Sequence, residues 1–187
     1  MKSRYLLFLI IALSFVWGCE ECRNVSIPNT DSHDPTFVLS INGPGINKVF
    51  KSSESSRSYL LTLYAGHYYV FTLIGRDNGG ISETWVQLPA EDRMKIVRLE
   101  PETATIRDVS VLSRIIMSKI AQEDASTCGT LSLKVRAGDI ENEGPHSEGH
   151  ISFKVYDYNN PPYHNSTSIS IGLQYSNSSG HVGIIEL

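Results

Sequence analysis

The sequence has no excess of basic charge, no apolar run long enough for a stable membrane-spanning helix, and none of the short motifs that announce common catalytic chemistries. It carries 16 basic against 20 acidic residues, a formal net charge of −4. A nucleic-acid partner calls for a basic face, so that class is set aside. The longest apolar stretch near the start, Leu6 to Val16, is too short for a bilayer span. There is no G-x-S-x-G nucleophile elbow, no H-E-x-x-H, no G-x-x-x-x-G-K and no S-x-x-K, and Gly43-Pro44-Gly45 lacks the third glycine of a dinucleotide loop. Paired carboxylates for glycoside cleavage can lie far apart in a sequence, so a carbohydrate-active enzyme stays as an alternative without a motif behind it. What is present is 41% apolar composition over 187 residues, enough to fill the core of one ordinary domain or two small ones.

The clearest signal lies at the N-terminus. Lys2 and Arg4 precede the apolar stretch Leu6 to Val16, the charge and length of an export signal. Removing both with the leader leaves 14 basic residues (16 − 2) against 20 acidic, a charge of −6. The stretch ends Val16-Trp17-Gly18-Cys19, which resembles the lipobox of bacterial lipoproteins, where a small residue precedes a cysteine whose thiol accepts diacylglycerol. Trp17 departs from the small or polar residue usual at its place. The resemblance ends at Cys19, and it implies a signal peptide over 1–18, lipid on Cys19 and a membrane as partner through that lipid. Glu20 stands where an Asp would mark inner-membrane retention in enterobacterial sorting, which points to an outer-membrane lipoprotein facing the periplasm or the cell surface. The alternative is an ordinary secretory leader cut near Gly18.

Spending Cys19 on lipid leaves Cys22 and Cys128 as one pair, and an oxidising compartment would let them join as a disulfide. Closing a loop of about a hundred residues would contribute on the order of 4 kcal/mol in the chain-entropy model. Cys19-Glu20-Glu21-Cys22 as a redox or zinc motif lacks both a thioredoxin-like βαβ unit and a second ligand pair. From Cys19 to about His33 the chain is polar and without period, which reads as a lipidated tether over 19–33.

Beyond the tether the dominant period is two. Phe37, Leu39 and Ile41 alternate with Val38 and Ser40, and further strands are expected at 58–64, 67–75, 81–88, 94–99, 130–137, 150–157, 167–175 and 181–186. Tyr68 to Ile74 runs into Asp77-Asn78-Gly79-Gly80, whose residues tolerate positive φ, so a tight hairpin is expected before Ile81. A second hairpin with a long loop should join Ile151, Phe153 and Val155 to Ile169, Ile171 and Leu173 through Asn159-Asn160-Pro161-Pro162. One segment departs from this period: Val109, Leu112, Ile116 and Ile120 follow Asp108, a candidate N-cap, at helical spacing, which predicts a short helix over 111–122.

Gly66-His67-Tyr68-Tyr69-Val70-Phe71, followed by Asp77-Asn78-Gly79-Gly80, resembles the strand F, turn and strand G of bacterial immunoglobulin-like domains, with Gly66 and Tyr68 similar to a tyrosine corner. The resemblance implies a mainly β fold, an immunoglobulin-like antiparallel sandwich over 34–187. A second Gly-His at Gly149-His150 raises the alternative of two small lobes, about 34–89 and 90–187.

Two places carry candidate binding chemistry. Trp85 shares a strand face with Glu83 and Gln87, and a tryptophan among polar groups on a sheet can stack on sugar or anchor a protein; the alternative is that a second lobe or segment 111–122 covers it. Asp139, Glu141 and Glu143, with Gly144 next, place oxygens at positions one, three and five of a calcium-loop pattern. Position twelve is His150 where a bidentate Glu belongs, so a solvated acidic loop is favoured over a calcium site, and no other cofactor is expected. The six histidines form no metal box. The reading is a membrane-anchored, non-catalytic interaction module that presents loops 139–149 and 157–166 to an unidentified protein or glycan, with a structural envelope component as the alternative.

Overall fold

The computed structural model describes residues 22–27, 33–110, 113–139, 146–158 and 165–187. Eleven strands follow one another among them: β1 Thr36–Gly43, β2 Ile46–Lys51, β3 Tyr59–Tyr64, β4 Tyr68–Pro89, β5 Met94–Glu100, β6 Thr105–Ser110, β7 Ser113–Lys119, β8 Ser126–Ala137, β9 His146–Asp157, β10 Ser166–Ser176 and β11 Gly183–Glu186. The fold is mainly β, a two-layer sandwich, and the only helical pieces described are single 3₁₀ turns.

The architecture turns on β4, which is 22 residues long. Its first half, Tyr68 to Arg76, pairs with β1 on one side and β8 on the other; its second half, Glu83 to Pro89, pairs with β9 and β7. One layer is therefore β2-β1-β4-β8-β5 and the other β11-β3-β10-β9-β4-β7-β6, with β4 common to both. Every neighbour pairing is antiparallel except β3 with β10. Inward residues of β4 are odd in the first half (Tyr69, Phe71, Leu73) and even in the second (Thr84, Val86, Leu88). A strand changes the parity of its buried set only through an irregularity, and the register shifts between Arg76 and Glu83 supply it. At that corner Asp77 Oδ1 accepts the Gly79 N–H at 2.6 Å, and Gly80 sits at φ +100°, a region open to glycine. The tight hairpin expected at 77–80 is thus corrected. The turn residues carry one strand from sheet to sheet instead of closing a hairpin within one sheet, so the strand F–turn–strand G part of the resemblance is not reproduced.

The two layers meet face to face. Phe71 and Phe153 pack edge to face with centroids 5.9 Å apart, and a Cβ on Gly75 would lie 2.4 Å from Val155 Cγ1, so the sheets cross closest where glycine permits it. The core runs from Phe37 through Phe71 and Leu133 to Phe153 and Leu173, all essentially without solvent contact. Strands from both sides of residue 89 interleave in both layers around this one cluster, which is not the distribution that lobes at 34–89 and 90–187 would give. The hairpin with a long loop is present as β9 and β10, with Ile151 opposite Ile171 and Phe153 opposite Ile169.

The helix expected over 111–122 is also corrected: residues 113–119 form β7, hydrogen-bonded between β4 and β6. Its inward residues are Arg114, Ile116 and Ser118. Arg114 is only 6% exposed because its guanidinium is fully occupied, donating to the carbonyls of Pro89 and Met94 and lying 3.8 Å from Glu91. A buried arginine and serine in the inward row, with Ile115 and Met117 facing out, hide the period of two that would have announced a strand.

Tyr69, not Tyr68, makes the contact similar to a tyrosine corner. Its buried hydroxyl accepts the Tyr64 N–H at 2.8 Å and faces the Pro44 carbonyl at 3.3 Å, and its ring passes over Gly43, where a Cβ would lie 2.3 Å from it. Tyr68 points outward and is 51% exposed.

Candidate interaction face

The N-terminal segment is fastened to the sandwich. Cys22 and Cys128 are disulfide-bonded with Cα atoms 5.2 Å apart. Next to the bond, Arg23 and Thr127 exchange hydrogen bonds (3.0 and 2.8 Å) and the Val25 N–H reaches the Ala125 carbonyl at 3.0 Å. Residues 22–27 of the expected tether are therefore laid against the start of β8, beside the β4 corner. Cys19 lies outside the described residues, as do Glu141 and Glu143.

Asp139 stands at the opposite end of β8. Both of its oxygens accept from Arg136, at 3.0 and 2.8 Å, and this forked bond is the main reason its carboxyl is held below the usual carboxylate range. Among the described residues no three His, Cys, Asp or Glu side chains converge as metal ligands. Ser176 Oγ lies 3.4 Å from His181 Nδ1, yet it is buried and bonded to both the N–H and the carbonyl of Ser178, which makes the pair part of a turn.

Trp85 lies on the outer face of the larger layer. Residues directly opposite on neighbouring strands point to the same side, so the registers define three cross-strand rows there. Lys119, Glu83, Tyr156 and Ser166 form one; Thr105, Met117, Trp85, Lys154 and Ser168 the next; Arg107, Ile115, Gln87, Ser152 and Ser170 the third. Among the described residues no second lobe and no helix lies over them. Trp85 is half-buried by its in-sheet neighbours, with the Tyr156 ring 6.5 Å away and inclined by 27° and Lys154 Nζ 4.4 Å from that ring's centre. Lys119 and Glu83 pair at 3.6 Å and so largely cancel, leaving Lys154 and Arg107 as the face's charge.

Next to Tyr156 the face opens into a depression of about 420 Å³, lined by Ser82, Glu83, Lys119, Ile120, Tyr156 and Tyr158. Its floor is fixed by Ser82, whose hydroxyl donates to the Asp157 carbonyl at 2.6 Å, and by Tyr158, whose hydroxyl donates to the Ile120 carbonyl. Burial, with Glu123 and Asp124 nearby, raises the Tyr158 phenol above its ordinary range and keeps that donor protonated. The arrangement offers flat aromatic and thioether surface, a cation and fixed hydroxyls on a rigid sheet, which is the equipment of recognition.

Among the described residues, Trp85 lies far from His146, where the 139–149 loop enters β9. Lys154, opposite Trp85, is eight residues along β9 from His146, roughly 26 Å at the rise of a strand. Loops 139–149 and 157–166 likewise join β9 at its opposite ends. Sequence reasoning placed Trp85 on the right face but missed Met117, Lys154 and Tyr156 beside it. The signal was the outward parity of Lys154 and Tyr156 in a strand already recognised.

Fold and face together define a mainly β sandwich with an aromatic, basic outer sheet. No family model and no curated protein matches the chain. Among solved structures it is similar to BcpA, the major pilin subunit of Bacillus cereus, with a TM-score of 0.45 and 10% identity over 76% of this chain and 41% of that one. The chain thus spans less than half the length of the pilin. It is also similar to a chain of the CaDoc0917–CaCohA2 complex, with a TM-score of 0.35 and 7% identity over 65% of this chain and 98% of that one.

Proposed function

We propose that the protein is an exported, non-catalytic interaction module, held to the outer membrane by lipid on Cys19, that engages a protein or glycan through the outer face around Trp85. The observation that carries this reading is the Trp85–Tyr156–Lys154 cluster, large side chains held on a rigid sheet with no described element packed over them. Half-buried aromatics of this kind supply contact area at little entropic cost, since their in-sheet neighbours already fix their rotamers. The anchor rests on the export signal and the Gly18-Cys19 junction, and the fastening of Cys22 to β8 would keep the body close to the lipid.

Two substitutions test the two parts separately. Cys19→Ala should move the protein from the membrane pellet to the soluble fraction in high salt; retention in the pellet sinks the anchor. Trp85→Ala should release the partner from the anchored protein with the fold intact, costing about 2 kcal/mol of binding if Trp85 is an anchor residue. Unchanged binding sinks the face.

A structural role as an envelope component is favoured by one further observation. β6 is a sheet edge, exposed along its whole length, with Ile106 and Val109 facing solvent. If it joins a neighbouring subunit, Ile106→Lys should abolish co-purification of that subunit while Trp85→Ala leaves it.

A further inference from the structure

A second outer surface carries an arrangement that the fold does not require. On the smaller layer β5 pairs with β8, and Lys95 lies opposite Arg136. A regular register would next place Val97 opposite Lys134 and turn Arg98 toward the core. Instead the register shifts between Ile96 and Arg98, so that Arg98 takes the place opposite Lys134 and Val97 is left 50% exposed. A bulge of this kind re-aims a side chain. It completes a grid of Lys95, Arg98, Lys134 and Arg136, spaced roughly 5 Å across the strands and roughly 7 Å along them.

Like charges directly opposite each other weaken a sheet. Here two such pairs stand side by side in a chain whose net charge is −4. Arg136 is met by Asp139 and Arg98 by Glu100 at 2.6 Å, so both arginines already hold carboxylates. Among the described residues Lys95 has no ion-pair partner, and Lys134 is met only by the ring of Tyr68, 5.3 Å from its Nζ. Tyr68 itself lies opposite Arg136 and presents an exposed ring at the border of the grid.

We infer that Lys95, Arg98, Lys134 and Arg136, with Tyr68, form a binding site for a carboxylate-bearing polysaccharide. The cations provide charge complementarity, and the Arg136 fork shows at Asp139 the geometry in which a carboxylate is held there. A flat grid of repeated charge matches a repeating polymer. A protein partner is disfavoured, since the centres of protein interfaces are depleted of charge and of lysine. The site lies six to eight residues along β8 from Cys128, roughly 20–27 Å from the fastened N-terminal segment. With the anchor of the proposed function at that segment, the grid lies toward the end of the sandwich distant from the protein's own membrane and faces sideways.

The test is binding of the full-length protein in detergent to polygalacturonate, with dextran, poly-glutamate and polyphosphate as comparisons. The site predicts binding to polygalacturonate that weakens with salt, none to dextran, and weaker binding to poly-glutamate and to polyphosphate. The double variant K95S/K134S, both positions being exposed, should lower polygalacturonate affinity about tenfold while Trp85→Ala leaves it unchanged. R98S alone should lower it by a smaller factor. No binding to polygalacturonate, binding indifferent to K95S/K134S, or tighter binding to poly-glutamate or to polyphosphate would each overturn the inference. Because the Trp85 face is on the other layer, none of these outcomes bears on the proposed function.

Discussion

At the scale of single residues, the positions that matter most are those where a side chain or its absence lets two strands meet. Tyr69→Phe would leave the Tyr64 N–H without the hydroxyl it now donates to. The expected loss is about 1–3 kcal/mol, read from urea unfolding. Gly75→Ala would drive a methyl into Val155 at the crossing of the layers, and overpacking there should cost about 1–3 kcal/mol by the same measurement. Glu54 gives a dependence on pH. Its carboxyl is held below the usual range first by the Lys51 N–H (2.9 Å) and also by the Tyr59 hydroxyl (2.9 Å) and Lys48. A lowered folded pKa contributes stability that is present above the ordinary carboxylate range and is lost as pH falls through the folded value. Thermal unfolding from neutral to acid pH should therefore show a decline that Glu54→Gln reduces; an unchanged slope in that variant would contradict the assignment. Sequence reading went astray at this scale with Tyr68 and Tyr69. Both are tyrosines next to the same glycine turn, and only the pairing of β4 decides which of them faces inward.

Among the elements, those legible in the sequence were the ones whose buried rows are apolar. β1, β9 and β10 alternate cleanly, and they were found with their hairpin. β2 and β6 were missed, β2 because its inward row includes Lys48 between Ile46 and Phe50 and β6 because an edge strand buries nothing. β7 was read as a helix because Arg114 and Ser118 occupy inward places while Ile115 and Met117 face out. At the β4 corner the local chemistry was read correctly, but what Asp77 to Gly80 do with their freedom is set by β1, β8, β9 and β7, which local sequence does not reveal. The disulfide is an element-scale device too, since it holds residues 22–27 to β8 across a separation of 106. Reduction, or Cys128→Ala, should cost on the order of 4 kcal/mol and should raise proteolytic cleavage before residue 36. Equal stability of the reduced and oxidised protein would show that the fastening adds nothing.

For the whole molecule, the strand β8 gives the sandwich a polarity. One end carries the fastened N-terminal segment and the β4 corner, and the other carries the Arg136–Asp139 pair, with the Trp85 face along one side between them. An anchor at Cys19 would set the first end against the membrane and leave both sheet faces open sideways. The candidate site was legible only in part. The parity of Trp85 was visible in the sequence, whereas its neighbours come from β7 and β9, brought alongside by pairings across tens of residues.

The most direct test of the Trp85 face is a photo-crosslinking amino acid placed at Gln87, in the row beside Trp85, and in a second protein at Val49, on the outer face of the other layer. In intact envelopes the account predicts one discrete crosslinked product from position 87, abolished by adding Trp85→Ala, and none of the same size from position 49. Equal products from both positions, or a product at 87 that survives Trp85→Ala, would contradict it.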